Sequence, residues 1–96
     1  MEAKLSVSEV NVVANGAIAD YERSPRAKGT TRVDLYGLKV DVNWTYEKDD
    51  TCQYGVWVGD IEPIEEGVYL KYNQMDLYSI LYIMNEHRFP GPYNNI

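Results

Sequence analysis

The sequence predicts an α+β fold: a three-stranded antiparallel sheet with one helix from each end of the chain, in the order α-β-β-β-α. Three observations carry this. Apolar residues recur at helical spacing from Val7 to Tyr21, alternate with period two from Leu38 to Val58, and return to helical spacing from Leu77 to Met84. At 96 residues the chain has room for a single domain around one modest core.

The first helix is expected over residues 6–23. Ser6 and Glu9 fit the S-x-x-E capping box, in which each side chain takes up the other's free backbone N–H. Val7, Val10, Val13, Ala14, Ala17, Ile18 and Tyr21 fall within an arc of about 140°, with Asn11, Asn15, Asp20 and Glu22 opposite. Val12 and Ala19 break the stripe. Asn15-Gly16 is also a hairpin-turn dipeptide, but alternation fails across this stretch and the helix is preferred. Residues 24–32 then read as a basic linker. Pro25 stops the helix, Gly29 permits a turn, and nothing apolar is larger than Ala27.

The antiparallel sheet is expected over residues 33–72. Leu38, Val40, Val42, Trp44 and Tyr46 share one face, with Lys39, Asp41, Asn43, Thr45 and Glu47 on the other. Val33 and Leu35 extend the same strand backwards, with Gly37 as a bulge or bend. Lys48-Asp49-Asp50-Thr51 reads as a hairpin turn, after which Cys52, Tyr54, Val56 and Val58 alternate back and leave Gln53, Gly55 and Trp57 outside. Gly59-Asp60 loosens that strand and Pro63 ends its pairing. Val68, Leu70 and Tyr72 make a shorter third strand.

Asn73 or Asp76 caps the last helix, expected over residues 76–88. Leu77, Ile80, Leu81 and Met84 form its apolar stripe, widened by Tyr78, Tyr82 and Ile83 until it must be covered on most sides or offered to a partner. The tail, residues 89–96, contains two prolines and is expected to be extended.

Few catalytic arrangements are open to this composition. With one Cys and one His, no C-x-x-C or H-x-x-x-H spacing exists, so no metal site is predicted. Cys52 and His87 read as a half-buried strand thiol and a residue of the last helical turn. Asp49-Asp50 sits in a turn and Glu65-Glu66 in a loop, both places where carboxylates are favoured for backbone or solvation reasons. No phosphate-cradling glycine loop is present. The sequence therefore predicts no catalytic residues, no cofactor and no enzyme. It has no apolar run long enough for a membrane span and no secretory h-region, so a cytoplasmic location is expected.

Charge is unevenly placed. The chain carries −6 overall, yet residues 41–66 hold eight acidic side chains against Lys48 alone, while residues 23–32 hold four basic ones and no acid. One reading is solvated surface that keeps a small protein soluble. The other is an acidic lobe that steers onto a basic surface, such as those of nucleic-acid-handling machines. Nine Tyr and two Trp against one Phe favour an exposed aromatic surface, because Tyr and Trp are enriched at interface hot spots.

Val56-Trp57-Val58-Gly59-Asp60-Ile61 and Met75-Asp76-Leu77-Tyr78-Ser79-Ile80-Leu81 are patterned like the C-terminal part of many small phage and prophage accessory proteins. The resemblance covers about a third of the chain. It implies a protein that binds and inhibits a host protein, for example a CRISPR or restriction effector.

The expected function is thus a small acidic binding protein, phage-encoded, acting on a host protein with a basic surface. Asp49, Asp50, Asp60, Glu62, Glu65 and Glu66 would supply charge, with Trp57 and Tyr69 as anchors. Two alternatives belong to other classes. One is a single-stranded nucleic-acid binder using Arg23, Arg26, Lys28 and Arg32 with Tyr stacking, which the overall charge opposes. The other is a self-assembling subunit with residues 77–84 as a dimer seam.

Overall fold

Ser6 starts the first helix as its spacing dictates: its hydroxyl accepts from the Glu9 N–H at 3.1 Å while the Glu9 carboxylate accepts from the Ser6 N–H at 2.9 Å. The computed structural model describes residues 1–48 and 54–89. Along them run β1 (Glu2–Lys4), α1 (Val7–Arg23), β2 (Lys28–Leu35), β3 (Leu38–Lys48), β4 (Tyr54–Pro63), β5 (Tyr69–Lys71) and α2 (Gln74–Arg88). The predicted Lys48–Thr51 turn, apart from Lys48 at the end of β3, lies outside the described residues, as do Cys52 and residues 90–96 of the tail.

The α+β class, the three-stranded antiparallel sheet and the two flanking helices are as the sequence predicts. The third strand is not the expected one. The sheet order is β2-β3-β4, and its third member joins residues 28–32, expected as linker, to Val33–Leu35, expected as the start of the next strand. Lys28–Leu35 pairs without a break against Thr45–Leu38. This strand was hidden because its inward positions begin with Gly29 and Thr31, not with large apolar residues. Gly29 is small for a reason: a Cβ there would lie 2.6 Å from Cζ2 of Trp44. The expected strand at 68–72 does form, as β5, but it pairs in parallel with β1, Tyr69 opposite Glu2, in a separate two-stranded sheet.

Gly37 is not a bulge within one long strand. Tyr36 and Gly37, with φ of 57° and 105°, make a two-residue turn between β2 and β3, and the Asp34 carboxylate accepts the Gly37 N–H at 2.7 Å. Positive φ at both central positions belongs to the type I′ turn, whose twist suits a hairpin.

The bulge lies in β4 instead. Trp44 pairs with Val58 and Asn43 with Asp60, which leaves Gly59 without a partner. That extra residue reverses the alternation. Val56 and Ile61 therefore both face the core, and Asp60 and Glu62 both stay outside with Asn43 and Asp41 as neighbours.

Both helices cover one face of the sheet. Val10, Val13, Ala14, Ala17 and Ile18 of α1 and Leu77 and Leu81 of α2 are buried against Val33, Leu35, Val40, Val42, Trp44, Val56 and Ile61. Val7, expected on this stripe, is 61% exposed at the first position of α1. Asn73 caps α2, accepting from the N–H groups of Met75 and Asp76. The opposite sheet face is left polar.

Candidate partner-binding surface

α2 runs beside β4, and Asn85 locks the two together. Its amide donates to the Val56 carbonyl at 2.9 Å, and its carbonyl oxygen accepts the Val56 N–H at 3.0 Å. A side-chain amide here takes the place of a fourth strand. Gly55 lets it approach: its φ is 117°, and a Cβ would fall 2.4 Å from Asn85 Oδ1.

This docking creates an aromatic ledge. Trp57 pairs with Thr45 on the outer face, and its ring stacks on Tyr78 at 5.1 Å, with the planes 26° apart. Tyr78 stacks on Tyr82, one helical turn later, at 6.3 Å. Tyr78 and Tyr82 are each 44% exposed. Beneath the ledge lies a cleft of about 220 Å³ reached by Trp57, Gly59, Tyr72, Leu77 and Tyr78. The Trp57 indole N–H is buried and has no acceptor among the described residues. Leaving such a donor unmatched costs about 1–3 kcal/mol.

Carboxylates flank the ledge on both sides. At the sheet end, burial and the Asp60 charge together push the Tyr72 phenol above its ordinary value. At the helix end, Glu86 hydrogen-bonds the Tyr82 hydroxyl and, with its charge, raises that phenol too. Both hydroxyls are protonated at neutral pH, and that of Tyr82 is already directed at Glu86.

The predicted anchors separate. Trp57, Asp60 and Glu62 share β4, and Glu65 and Glu66 are exposed in the turn that follows. Tyr69, 73% exposed, belongs to the β1–β5 sheet. Asp49 and Asp50 lie outside the described residues. Tyr78, Tyr82 and Glu86 were not among the expected site residues, although their four-residue spacing places them on one helix face.

The basic segment is largely neutralised. Asp20, expected on the exposed side of α1, is buried and binds three donors: Trp44 Nε1 at 2.9 Å, Arg26 at 2.8 Å and Arg23 at 3.0 Å. Burial alone would raise its carboxyl, but the bonds from Trp44, Arg23 and Arg26 outweigh that and hold it below the usual value. Arg26 also lies over the Trp44 ring, 4.9 Å from its centre. Arg32 pairs with Asp41 at 3.1 Å. Three of the four cations proposed for nucleic-acid contact therefore already face a carboxylate. A second cleft of about 370 Å³ lies beside Arg26, between Pro25, Tyr21 and Tyr46. Tyr21 and Tyr46 stack at 4.1 Å.

Among the described residues, no three of His, Cys, Asp and Glu cluster as metal ligands would, and no helix is long and apolar enough to cross a membrane. Comparison of the chain with protein-family models, curated proteins and solved structures finds no match.

Proposed function

We propose that this chain is a non-catalytic binding protein that seats a basic protein surface on the Trp57–Tyr78–Tyr82 ledge. The observation that carries the proposal is the stacked, half-exposed aromatic row with Asp60 near Tyr72 at one end and Glu86 at Tyr82 at the other. Lys and Arg side chains are attracted to aromatic faces, and nearby carboxylates add charge pairing and faster encounter. Carboxylates repeated along one strand also imitate a phosphate row. On that ground, and on the phage-protein resemblance of residues 56–61 and 75–81, the partner is a nucleic-acid-handling complex of the bacterial cytoplasm, inhibited by occupation of its basic surface.

Affinity capture from bacterial lysate tests this with three forms of the chain: the native one, Asp60→Lys/Glu62→Lys and Tyr78→Ala/Tyr82→Ala. The native form is expected to retain a nucleic-acid-handling complex at low salt, release it at high salt, and block its binding to DNA or RNA. Both variants lose that complex while keeping the native circular dichroism spectrum. Equal capture by all three forms overturns the proposal.

A further inference from the structure

The two edges of the three-stranded sheet are treated differently. On β4 the Asn85 amide occupies the edge groups of Val56, and α2 lies alongside. On β2 the eight-residue edge has no proline and no bulge, and among the described elements only β3 and α1 touch it. Natural sheets close or interrupt such an edge because its free N–H and C=O groups recruit another strand.

The direction of those groups follows from the ladder. Tyr46 N–H bonds the Ala27 carbonyl at 2.8 Å, and the pairing continues unbroken to Leu35 opposite Leu38. Bonded and non-bonded pairs alternate in an antiparallel ladder, so residues 29, 31, 33 and 35 bond to β3. Lys28, Thr30, Arg32 and Asp34 turn their N–H and C=O groups to the open edge, with side chains on the polar sheet face.

We propose that two copies of this chain join through β2, antiparallel about a two-fold axis at Thr31, to make one continuous six-stranded sheet. This register sets Lys28 against Asp34 of the second copy and Thr30 against Arg32 of the second copy. All four outward residues of each chain then lie in bonded pairs, and both outer pairs join opposite charges. Neighbouring registers do worse. An axis at Thr30 opposes Lys28 to Arg32, and an axis at Arg32 opposes that residue to itself. An axis at Val33 joins Arg32 to Asp34 but leaves Lys28 beyond the paired segment.

This edge lies on the other side of β3 from the aromatic ledge, so the inference stands apart from the proposed partner. Sedimentation equilibrium of the full chain tests it, with the expected species twice the 11.0 kDa of one chain. Lys28→Asp and Asp34→Lys each place like charges opposite one another and are expected to weaken association about tenfold or more. Mixing the two restores it, because in the mixed pair every Asp meets a Lys. Thr30→Pro removes an edge N–H that β3 does not use and gives monomer with an unchanged circular dichroism spectrum. A native chain that is monomeric at every concentration overturns the proposal. So does a dimer indifferent to these variants but dissociated by Ile83→Asp, which would place the seam on α2.

Discussion

Asn85 and Val56, 29 residues apart in sequence, exchange two hydrogen bonds, so that a helix side chain completes the hydrogen bonding of a strand edge. Removing the amide leaves two buried backbone groups without partners. Asn85→Ala is expected to cost about 2–4 kcal/mol in urea denaturation, since each orphaned group costs about 1–3 kcal/mol. Asn85→Leu, which refills volume without polar atoms, recovers little of the loss. A loss below about 0.5 kcal/mol would show that water replaces the amide.

Asp20 makes acid stability specific to one residue. Its folded carboxyl titrates below the ordinary aspartate value, so its contribution is fully present above that ordinary value and is lost as pH falls through the lower folded one. Acid unfolding of Asp20→Asn followed by Trp fluorescence is expected to show a shallower fall in stability below about pH 4 than the native chain. At pH 7, Asp20→Ala is expected to destabilise by about 3 kcal/mol, because Trp44 Nε1 and two guanidinium groups lose a shared, buried acceptor.

Gly16→Ala would stabilise an exposed helix by about 1 kcal/mol. Here the new Cβ meets Val33 Cγ2 at 2.8 Å, and the branched Val side chain has little freedom to turn away. Overpacking costs about 1–3 kcal/mol, so the expected net effect is a destabilisation of about 1 kcal/mol. The double substitution Gly16→Ala/Val33→Ala removes the clash, and a double-mutant cycle in urea should show favourable coupling between the two sites.

Tyr36→Asn is expected to stabilise the hairpin. Tyr36 holds φ of 57° while 80% exposed, so its side chain contributes little packing against a left-handed backbone cost. Asn-Gly is the preferred pair for a type I′ turn, and the gain is about 0.5–1 kcal/mol. A lower thermal midpoint for this variant would contradict the turn assignment.

Most elements were legible because their own residues carry the pattern. The Ser6–Glu9 box, the α1 stripe and the alternation from Leu38 to Tyr46 all appear where local periodicity puts them. β2 was not legible because its evidence is on another strand: Gly29 is small to admit Trp44, and Lys28–Arg32 become a strand only because β3 needs a partner. By sequence Asp20 belongs to the surface, since a carboxylate on a polar helix face ordinarily does. Its donors come from 3, 6 and 24 residues away, a convergence no window reveals. At the candidate site, Trp57, Asp60 and Glu62 were visible from composition and strand pattern. Tyr78 and Tyr82 joined them through the packing of α2 against β4, and Tyr69 went to a second sheet because β1 supplied a parallel neighbour.

The unpaired Gly59 has a further consequence for comparing this chain with relatives as they are found. β4 is two alternating patterns written one residue out of phase, joined at that position. A homologue lacking it would join the two patterns into one regular alternation, with Ile61 still against the core and Asp60 and Glu62 still outside. An alignment that opens a one-residue gap at Gly59 therefore keeps the acidic face in register, whereas one forced through without the gap exchanges inward and outward positions on one side of it.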